Sequence, residues 1–361
     1  MRKTKVTVLL LLMALTVSLL AGCGGKEEEK TKDGYAKKLY LYNWTEYIPQ
    51  SVMDGFEKEY GIKVVESTFT SNEEMLAKLT AGGTGQYDMT IASNYVIDAM
   101  KEQDLIEPIQ MDQVKNVKYL DKSTLNQPFD KNNEYTIPYM TSFTVLCGNK
   151  KKLKELGVDI KSFNDLTNPK LKNNIVLVDD IREIAAMALK VKGYSSSTTK
   201  EDEIMSTLPW LKKLAKNVKV YDADAPKSVM ISNDVAVGLM YSMDAAMAIE
   251  ENKDLDVIYT KEPAQKCLDN FVIIKGAKHA KEARLFIDYV LRPENYKKVL
   301  DEYYGVCINN GTKKLLDDHY LKNPGANVDR KELKRAEYID DVKDAASIYD
   351  DLYTDRKSTR L

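Results

Sequence analysis

An alternation of strand and helix patterns between residues 38 and 92 constrains the fold of this 361-residue chain more than any other feature. Apolar periodicity and turn residues predict these elements in order: a strand at Lys38–Tyr42, a helix between Pro49 and Gly61, a strand at Ile62–Phe69, a helix from Ser71, and a strand at Asp88–Ala92. Strands joined in succession by helices favour right-handed parallel crossovers. The sequence therefore predicts an α/β fold built on a doubly wound sheet.

The same alternation begins again after Ile137-Pro138-Tyr139, which predicts a second α/β lobe entered at about residue 140. A strand at Leu268–Ile274 is expected to return the chain to the first lobe. We therefore predict lobe 1 from residues 36–140 with 268–312, and lobe 2 from residues 141–267 with 313–355. Two lobes joined by more than one crossing strand form a hinge around a cleft. Further strands are predicted at Ser142–Cys147, Asn174–Val178, Val235–Met240 and Val257–Tyr259, and further helices at Lys151–Leu156, Ile181–Val191, Ala280–Leu291 and over most of the chain from Asn295.

The N-terminal segment has the pattern of a bacterial lipoprotein signal. Three basic residues precede an apolar run from Val6 to Ala21, and Leu20-Ala21-Gly22-Cys23 ends this run with small residues before a cysteine. We predict a signal peptide at residues 1–22, lipidation of Cys23 and a flexible tether at residues 23–35. The competing interpretation is a transmembrane anchor, but the run is shorter than the roughly 20 apolar residues that a span needs.

The charge balance argues against a nucleic-acid partner. The full chain has a net charge of −2, and removing Arg2, Lys3 and Lys5 with the signal leaves 50 basic against 55 acidic residues, or about −5. This balance is compatible with a cationic small molecule. Cys147, Cys267 and Cys307 remain beside the lipidated cysteine, which allows at most one disulfide. Cys267 could pair with Cys307, but three thiols are the favoured prediction.

Aromatic and acidic residues follow the first predicted strand, in the segment Leu41–Tyr47. Ligands of open α/β sheets bind at the carboxyl ends of strands. Trp44, Glu46 and Tyr47 at such a position could form a cage for a cation, because aromatic faces attract ammonium groups. From this segment alone, the favoured alternative is that Tyr42 and Trp44 are core residues where a strand meets a turn.

Catalytic and metal motifs are scarce. His279 and His319 both lie in polar surroundings, which predicts exposed positions without a neighbouring nucleophile. Gly82, Gly83 and Gly85 follow a predicted helix and lack the residues of a phosphate-binding loop, so they predict a helix end and a turn. We expect no metal site and no cofactor.

Four acidic residues near strand ends leave several interpretations open. Asp180 and Glu183 begin a predicted helix, where they could cap it, bind a cation, or act as the paired acids of a glycoside hydrolase. Asp244 and Asp269 also lie at strand ends, where single aspartates are either turn formers or acids of a cleft.

The chain resembles the spermidine/putrescine-binding lipoproteins and periplasmic proteins of polyamine ABC transporters. The resemblance extends from about Lys38 to Tyr353. It is carried by Leu41-Tyr42-Asn43-Trp44-Thr45-Glu46-Tyr47-Ile48-Pro49, Gly61-Ile62-Lys63-Val64, Tyr87-Asp88, Ser93-Asn94-Tyr95, Ile137-Pro138-Tyr139, Asp179-Asp180-Ile181-Arg182-Glu183, Leu291-Arg292-Pro293 and Ala345-Ala346-Ser347-Ile348-Tyr349.

This resemblance implies a two-lobed periplasmic-binding-protein fold of type II that holds a polyamine between its lobes. The implied binding residues are Trp44, Thr45, Glu46, Tyr47, Ser93, Tyr95, Asp180, Glu183, Tyr241, Asp244 and Asp269. Positions at which the chain departs from the family pattern are Ala223, Cys267, Val306 and Ile339. Two of these positions carry a tryptophan or a tyrosine in spermidine binders, so the choice among putrescine, spermidine and agmatine stays open.

The implied function is that of a monomeric, lipid-anchored, extracytoplasmic solute-binding protein that delivers a polyamine to an ABC permease with its ATPase. Such a protein is not an enzyme. Two alternatives remain: a secreted hydrolase that uses Asp180 and Glu183, and a ligand sensor on the same scaffold.

Overall fold

A computed structural model describes residues 30–223 and 225–357 of the protein. The predicted signal peptide, Cys23 and the first part of the predicted tether lie outside these residues. Residues 30–36 form a small turn, in which the Tyr35 N–H donates to Thr31 Oγ1 at 3.1 Å and Lys30 pairs with Ala36. None of the helices within the described ranges combines the length and the apolar character that a bilayer crossing requires.

The described ranges contain eleven strands and fourteen α-helices, numbered here in chain order. The strands are β1 (Lys38–Trp44), β2 (Lys63–Phe69), β3 (Met89–Ser93), β4 (Ile106–Glu107), β5 (Ile137–Asn149), β6 (Ile175–Val178), β7 (Val218–Asp222), β8 (Val237–Tyr241), β9 (Leu255–Ile258), β10 (Gln265–Ile274) and β11 (Glu337–Tyr338). The helices are α1 (Gln50–Tyr60), α2 (Asn72–Thr80), α3 (Ile97–Glu102), α4 (Lys150–Leu156), α5 (Ile181–Lys192), α6 (Glu201–Met205), α7 (Leu208–Ala215), α8 (Pro226–Ile231), α9 (Ser242–Glu251), α10 (Ala280–Val290), α11 (Pro293–Tyr303), α12 (Asp318–Lys322), α13 (Arg330–Arg335) and α14 (Ala346–Lys357).

Two parallel groups of strands are joined by two long antiparallel strands. The main path of the sheet runs β2-β1-β3-β10-β5-β8-β6-β7, with β4 and β11 paired to β10 and β9 paired to β5. β1 is parallel to β2 and β3, and β6 is parallel to β7 and β8. β10 is antiparallel to β3 and β5, and β5 is antiparallel to β8. The long strands β5 and β10 therefore form the middle of the sheet.

The first five predicted elements are confirmed. β1 lies between β2 and β3 in parallel pairing, as expected for strands joined by helices. Gly61 ends α1 with a left-handed φ of 70°, a conformation that glycine adopts at little cost. The side chain of Ser71 caps α2 by accepting from the Glu74 N–H at 3.1 Å. The glycines after α2 form a turn, as predicted.

Some strands differ from the predictions. β5 begins five residues before the predicted strand at Ser142–Cys147 and continues to Asn149, because both of its edges are paired by neighbouring strands. β7 and the two-residue strand β11 are not predicted by the sequence. β7 has only two apolar residues before Tyr221, a pattern too short to distinguish a strand from a turn. It forms because the backbone of β6 pairs with it.

The register of β10 places the middle of this strand next to the ends of other strands. Asp269 of β10 is opposite Ser93, the last residue of β3, and Cys267 is opposite Ser142 of β5. The pairing with β5 also changes register between Asp269 and Asn270. Residues that are far apart in the chain therefore meet where β3, β5 and β10 lie side by side.

The prediction that His279 is exposed is wrong, because its side chain is buried against Asp88. The His279 ring Nδ1 lies 2.9 Å from Asp88 Oδ2, and the His279 N–H donates to Asp88 Oδ1 at 3.0 Å. The polar neighbours of His279 in sequence do not report this distant partner. His319 is exposed, as predicted, with 59% of its side chain accessible.

Separate hydrophobic clusters pack on the two parallel groups of strands. One contains Tyr42, Phe69 and Met100 beside β1, β2 and β3. Another contains Leu177, Ile184 and neighbouring residues of β6 and α5. Each cluster buries the apolar face of its own helices, as layered α/β domains do.

Candidate functional site

All eleven residues predicted to bind ligand line one cavity of about 90 Å³. This volume corresponds to roughly six to nine water-sized positions at about 10 to 15 Å³ each. The other lining residues include Phe69, Thr70, Asn72, Ser142, Arg182, Ala223, Met243, Met247, Cys267 and Ile339. The role of these side chains in binding stays a prediction, but their convergence is a property of the fold.

Asp269 accepts hydrogen bonds from three hydroxyl groups. Its carboxylate accepts from the Tyr47 hydroxyl at 2.6 Å, from Ser93 Oγ at 2.6 Å and from Ser142 Oγ at 3.3 Å. Burial raises the pKa of Asp269, and the three hydroxyl donors oppose that shift. These donors come from the loop after β1, the end of β3 and the middle of β5. The carboxylate is therefore held in one orientation by three segments of the chain.

Tyr47 and Trp44 shape the wall next to Asp269. The Tyr139 hydroxyl donates to the Tyr47 carbonyl at 2.7 Å, and this fixes the loop after β1. The Trp44 indole N–H donates to the Ile91 carbonyl at 3.1 Å, and the Trp44 ring packs at 4.7 Å from the Phe69 ring. Trp44 is thus both a packed residue and part of the cavity wall, so the two interpretations of this segment are compatible.

Asn72 positions Ser93 and Tyr95 and is missed by the sequence analysis. Its Oδ1 accepts from the Ser93 N–H at 3.3 Å, and its Nδ2 donates to the Tyr95 hydroxyl at 2.8 Å. Asn72 is the first residue of α2 and is almost fully buried, at 1% exposure. The sequence shows Asn72 at the start of a predicted helix. An asparagine at such a position usually caps the helix by accepting hydrogen bonds from its first backbone N–H groups.

Asp180 is a helix cap and a cavity residue at the same time. It accepts from the Arg182 N–H at 2.8 Å and from the Glu183 N–H at 3.2 Å at the start of α5. The Tyr241 hydroxyl donates to the second carboxylate oxygen at 3.1 Å. Capping and lining the cavity therefore do not exclude each other at this position.

Glu183 lies beside Asp180 and is almost fully buried, at 3% exposure. Burial, reinforced by the charge of Asp180, raises the pKa of Glu183 to about 8. Its Oε2 has no hydrogen-bond partner among the residues that the structure describes. Burial therefore favours the protonated, uncharged form of Glu183.

The raised pKa of Glu183 predicts a pH dependence of stability. The folded protein holds this proton up to about pH 8, whereas an unfolded glutamate loses it near 4.5. Folding therefore favours proton uptake by this group, and its contribution to the free energy of unfolding falls as the pH rises from about 4.5 to 8. Urea unfolding at several pH values should show a shallower decline in Glu183→Gln than in the wild type. Equal pH slopes would contradict the assignment.

Arg182 is a basic residue among the side chains that line the cavity. Its guanidinium lies 5.3 Å from the centre of the Tyr95 ring and 5.1 Å from that of Tyr349, and it donates to the Asp340 carbonyl at 2.8 Å. This side chain faces the acids at the start of α5 and partly offsets their charge. Arg182 lies inside one of the family motifs named above, but the orientation of its side chain depends on partners in distant segments.

Lys227 is a cation that the sequence analysis misses; it does not line the cavity but pairs with two acids that do. Its ammonium group pairs with Glu46 and lies 3.5 Å from Asp244 Oδ1. Burial raises the pKa of Asp244 to about 6, against the opposing charge of Lys227. Glu46 and Asp244 are thus brought together by a side chain of the protein.

Three of the four departures from the family pattern line the cavity, namely Ala223, Cys267 and Ile339. Val306 instead packs against the cluster around β5 and β8. Cys147, Cys267 and Cys307 are buried thiols, so the prediction of three thiols is confirmed and the Cys267–Cys307 bridge is absent. The cavity wall is consequently less aromatic at Cys267 than the family pattern implies.

Comparison with known proteins finds a family and close structural relatives. Residues 51–353 match a family described as bacterial extracellular solute-binding protein. The chain is 35% identical over 322 residues to the spermidine/putrescine-binding periplasmic protein of Salmonella typhimurium, which covers 89% of this chain and 92% of the relative.

Two solved structures are similar to the whole of the described fold. The spermidine/putrescine ABC transporter substrate-binding protein of Streptococcus pneumoniae has a TM-score of 0.77 at 31% identity, with 90% of this chain and 100% of that chain covered. A lipoprotein of Treponema pallidum has a TM-score of 0.80 at 26% identity, with 88% and 99% covered.

These findings confirm the family resemblance and the two-lobed type II periplasmic-binding-protein fold. The relatives from Salmonella and Streptococcus are named as binding proteins and not as enzymes. The hydrolase alternative gains no support from them. The lobe boundaries and the roles of individual cavity residues stay predictions.

Proposed function

We propose that this chain, which belongs to the bacterial extracellular solute-binding protein family, captures a polyamine in its cavity and delivers it to an ABC permease. One observation supports this more than any other. Five carboxyl groups surround a narrow cavity, and three of them, those of Glu183, Asp244 and Asp269, are almost fully buried. Buried carboxylates are costly without partners, and ligand ammonium groups would supply those partners.

The separation of the acids suits a linear polycation. Asp269 lies on β10 with its hydroxyl donors, whereas Asp180 and Glu183 begin α5. Trp44, Tyr95 and Tyr241 contribute aromatic side chains to the cavity, and such rings can contact methylenes and ammonium groups alike. In our proposal, one ammonium group binds at Asp269 and another at the start of α5.

Capture and delivery would depend on two further features. The lobes, with the boundaries predicted above, would close on the ligand, expel water and strengthen each ion pair. Lipidated Cys23, which lies outside the described residues, would hold the protein at the outer face of the membrane near its permease and raise the effective concentration there. The protein would act as a monomer in the extracytoplasmic space, without a cofactor, and would catalyse no reaction.

Isothermal titration calorimetry with putrescine and spermidine tests the proposed function. We expect saturable one-to-one binding of at least one of them, with a dissociation constant well below about 1 mM. Glucose is the control, because it is a small polar molecule with no charge to pair with the acids. Absence of binding by both polyamines would overturn the proposal, even though the fold would stand. Uptake of labelled polyamine by a deletion strain distinguishes a transport protein from a sensor.

A further inference from the structure

Lys227 places an ammonium group of the protein itself against two acids that line the cavity, Glu46 and Asp244, although Lys227 is not one of the lining residues. It lies in α8, with 13% of its side chain exposed, and pairs with both Glu46 and Asp244. Glu46 belongs to the loop after β1, whereas Asp244 is in the first turn of α9. A primary ammonium on an alkyl chain is also the chemistry of a polyamine end. Two of the five cavity acids therefore already have the kind of partner that a ligand would supply.

This arrangement persists at neutral pH. Burial lowers the pKa of Lys227, but the charge of Asp244 and the hydrogen bond to Glu46 outweigh it, so the pKa is raised. The pKa of Asp244, at about 6, leaves that group mainly ionised at pH 7. Lys227 and Asp244 therefore attract each other as full charges under the conditions in which the protein works.

Lys227 leaves two of the lining acids without a basic partner. Five acids line the cavity, and Lys227 pairs with Glu46 and Asp244. Asp180 and Asp269 form no ion pair within the described residues, so they are left for two ligand ammonium groups. A third ligand ammonium would meet the like charge of Lys227.

A triamine such as spermidine is longer than a diamine by an aminopropyl arm. With its other two ammonium groups at Asp269 and Asp180, this arm would reach toward the remaining lining acids, Glu46 and Asp244, which already pair with Lys227.

We propose that Lys227 occupies the position of a third ammonium group and thereby makes the cavity select a linear diamine over a triamine. This inference rests on the proposed function and adds to it a preference for diamines over triamines. Lys227 acts as a specificity-determining residue because it neutralises Glu46 and Asp244 and repels a further cation. Removing its charge frees both acids to bind the extra ammonium of a triamine.

Calorimetric titration of the full chain with putrescine and spermidine tests the inference in three proteins. The wild type should bind putrescine at least tenfold more tightly than spermidine. Lys227→Met keeps the length of the side chain but removes its charge, and should lower this preference by tenfold or more. Lys219→Met is the matched control, since Lys219 pairs with Asp234, an exposed acid that does not line the cavity. It should keep the wild-type preference within about threefold.

The possible results separate the inference from the proposed function. If neither polyamine binds the wild type, the proposed function fails and the inference with it. If polyamines bind but the wild type prefers spermidine, or Lys227→Met keeps the wild-type preference, the inference alone is wrong. If Lys227→Met does not fold, the preference of the wild type for putrescine or spermidine still tests the inference. Lys227→Gln then provides a second neutral variant.

Discussion

Replacement of Asp269 by asparagine is expected to weaken diamine binding by roughly a hundredfold or more. Asp269 is buried, and no basic side chain contacts it within the described residues; its partners there are the hydroxyls of Tyr47, Ser93 and Ser142. A ligand ammonium at this position would therefore lose its only countercharge. Breaking a buried ion pair in this way costs about 3 to 5 kcal/mol, and each 1.4 kcal/mol corresponds to about tenfold in affinity.

Calorimetric titration of Asp269→Asn with putrescine measures this effect. Asp318→Asn serves as the control, because Asp318 is 82% exposed and pairs only with Lys322 on the surface. Asparagine can still accept a hydrogen bond from one of the hydroxyls, so Asp269→Asn should unfold at a urea concentration close to that of the wild type. An unchanged affinity for putrescine would remove Asp269 from the binding site.

Replacement of Asp88 by alanine is expected to cost about 3 to 5 kcal/mol of stability while binding is kept. Asp88 is 3% exposed and accepts from the Tyr40 N–H at 2.8 Å and the His279 N–H at 3.0 Å. It also contacts the His279 ring at 2.9 Å. Each buried donor left without a partner costs roughly 1 to 3 kcal/mol, and alanine leaves at least two.

Urea unfolding followed by circular dichroism measures this loss. Asp159→Ala is the matched surface variant, since Asp159 is 75% exposed and pairs with Lys161. It should change the stability by less than about 1 kcal/mol. If Asp88→Ala unfolds at the same urea concentration as Asp159→Ala, the buried pair with His279 does not stabilise the fold.

Local patterns predict the first part of the fold well because its elements are regular and capped. The alternation from β1 to β3 contains apolar periods, a glycine stop at Gly61 and a serine cap at Ser71. These signals act over a few residues and can be read directly from the sequence. β7 and β11 carry no such signals, since they form only because other strands offer them a paired edge.

The residues of the candidate site were predicted largely from the family resemblance, whereas the contacts between them were not. The aromatic and acidic residues at strand ends are visible in the sequence, but their shared cavity depends on pairings such as Asp269 with Ser93. Lys227 and Glu46 are 181 residues apart, and His279 and Asp88 are 191 residues apart. No periodicity or local motif reports contacts over such separations. Side chains that pair within the protein are therefore harder to predict than side chains that match a family motif.

The change of register between β10 and β5 has a consequence for the shape of the site. It lies immediately after Asp269, with Tyr139 of β5 as the extra residue, at the point where the central strands join the two halves of the sheet. A bulge of this kind bends the strand and increases its twist. The direction in which the Asp269 carboxylate meets its three hydroxyl partners is therefore set by the local curvature of the two central strands.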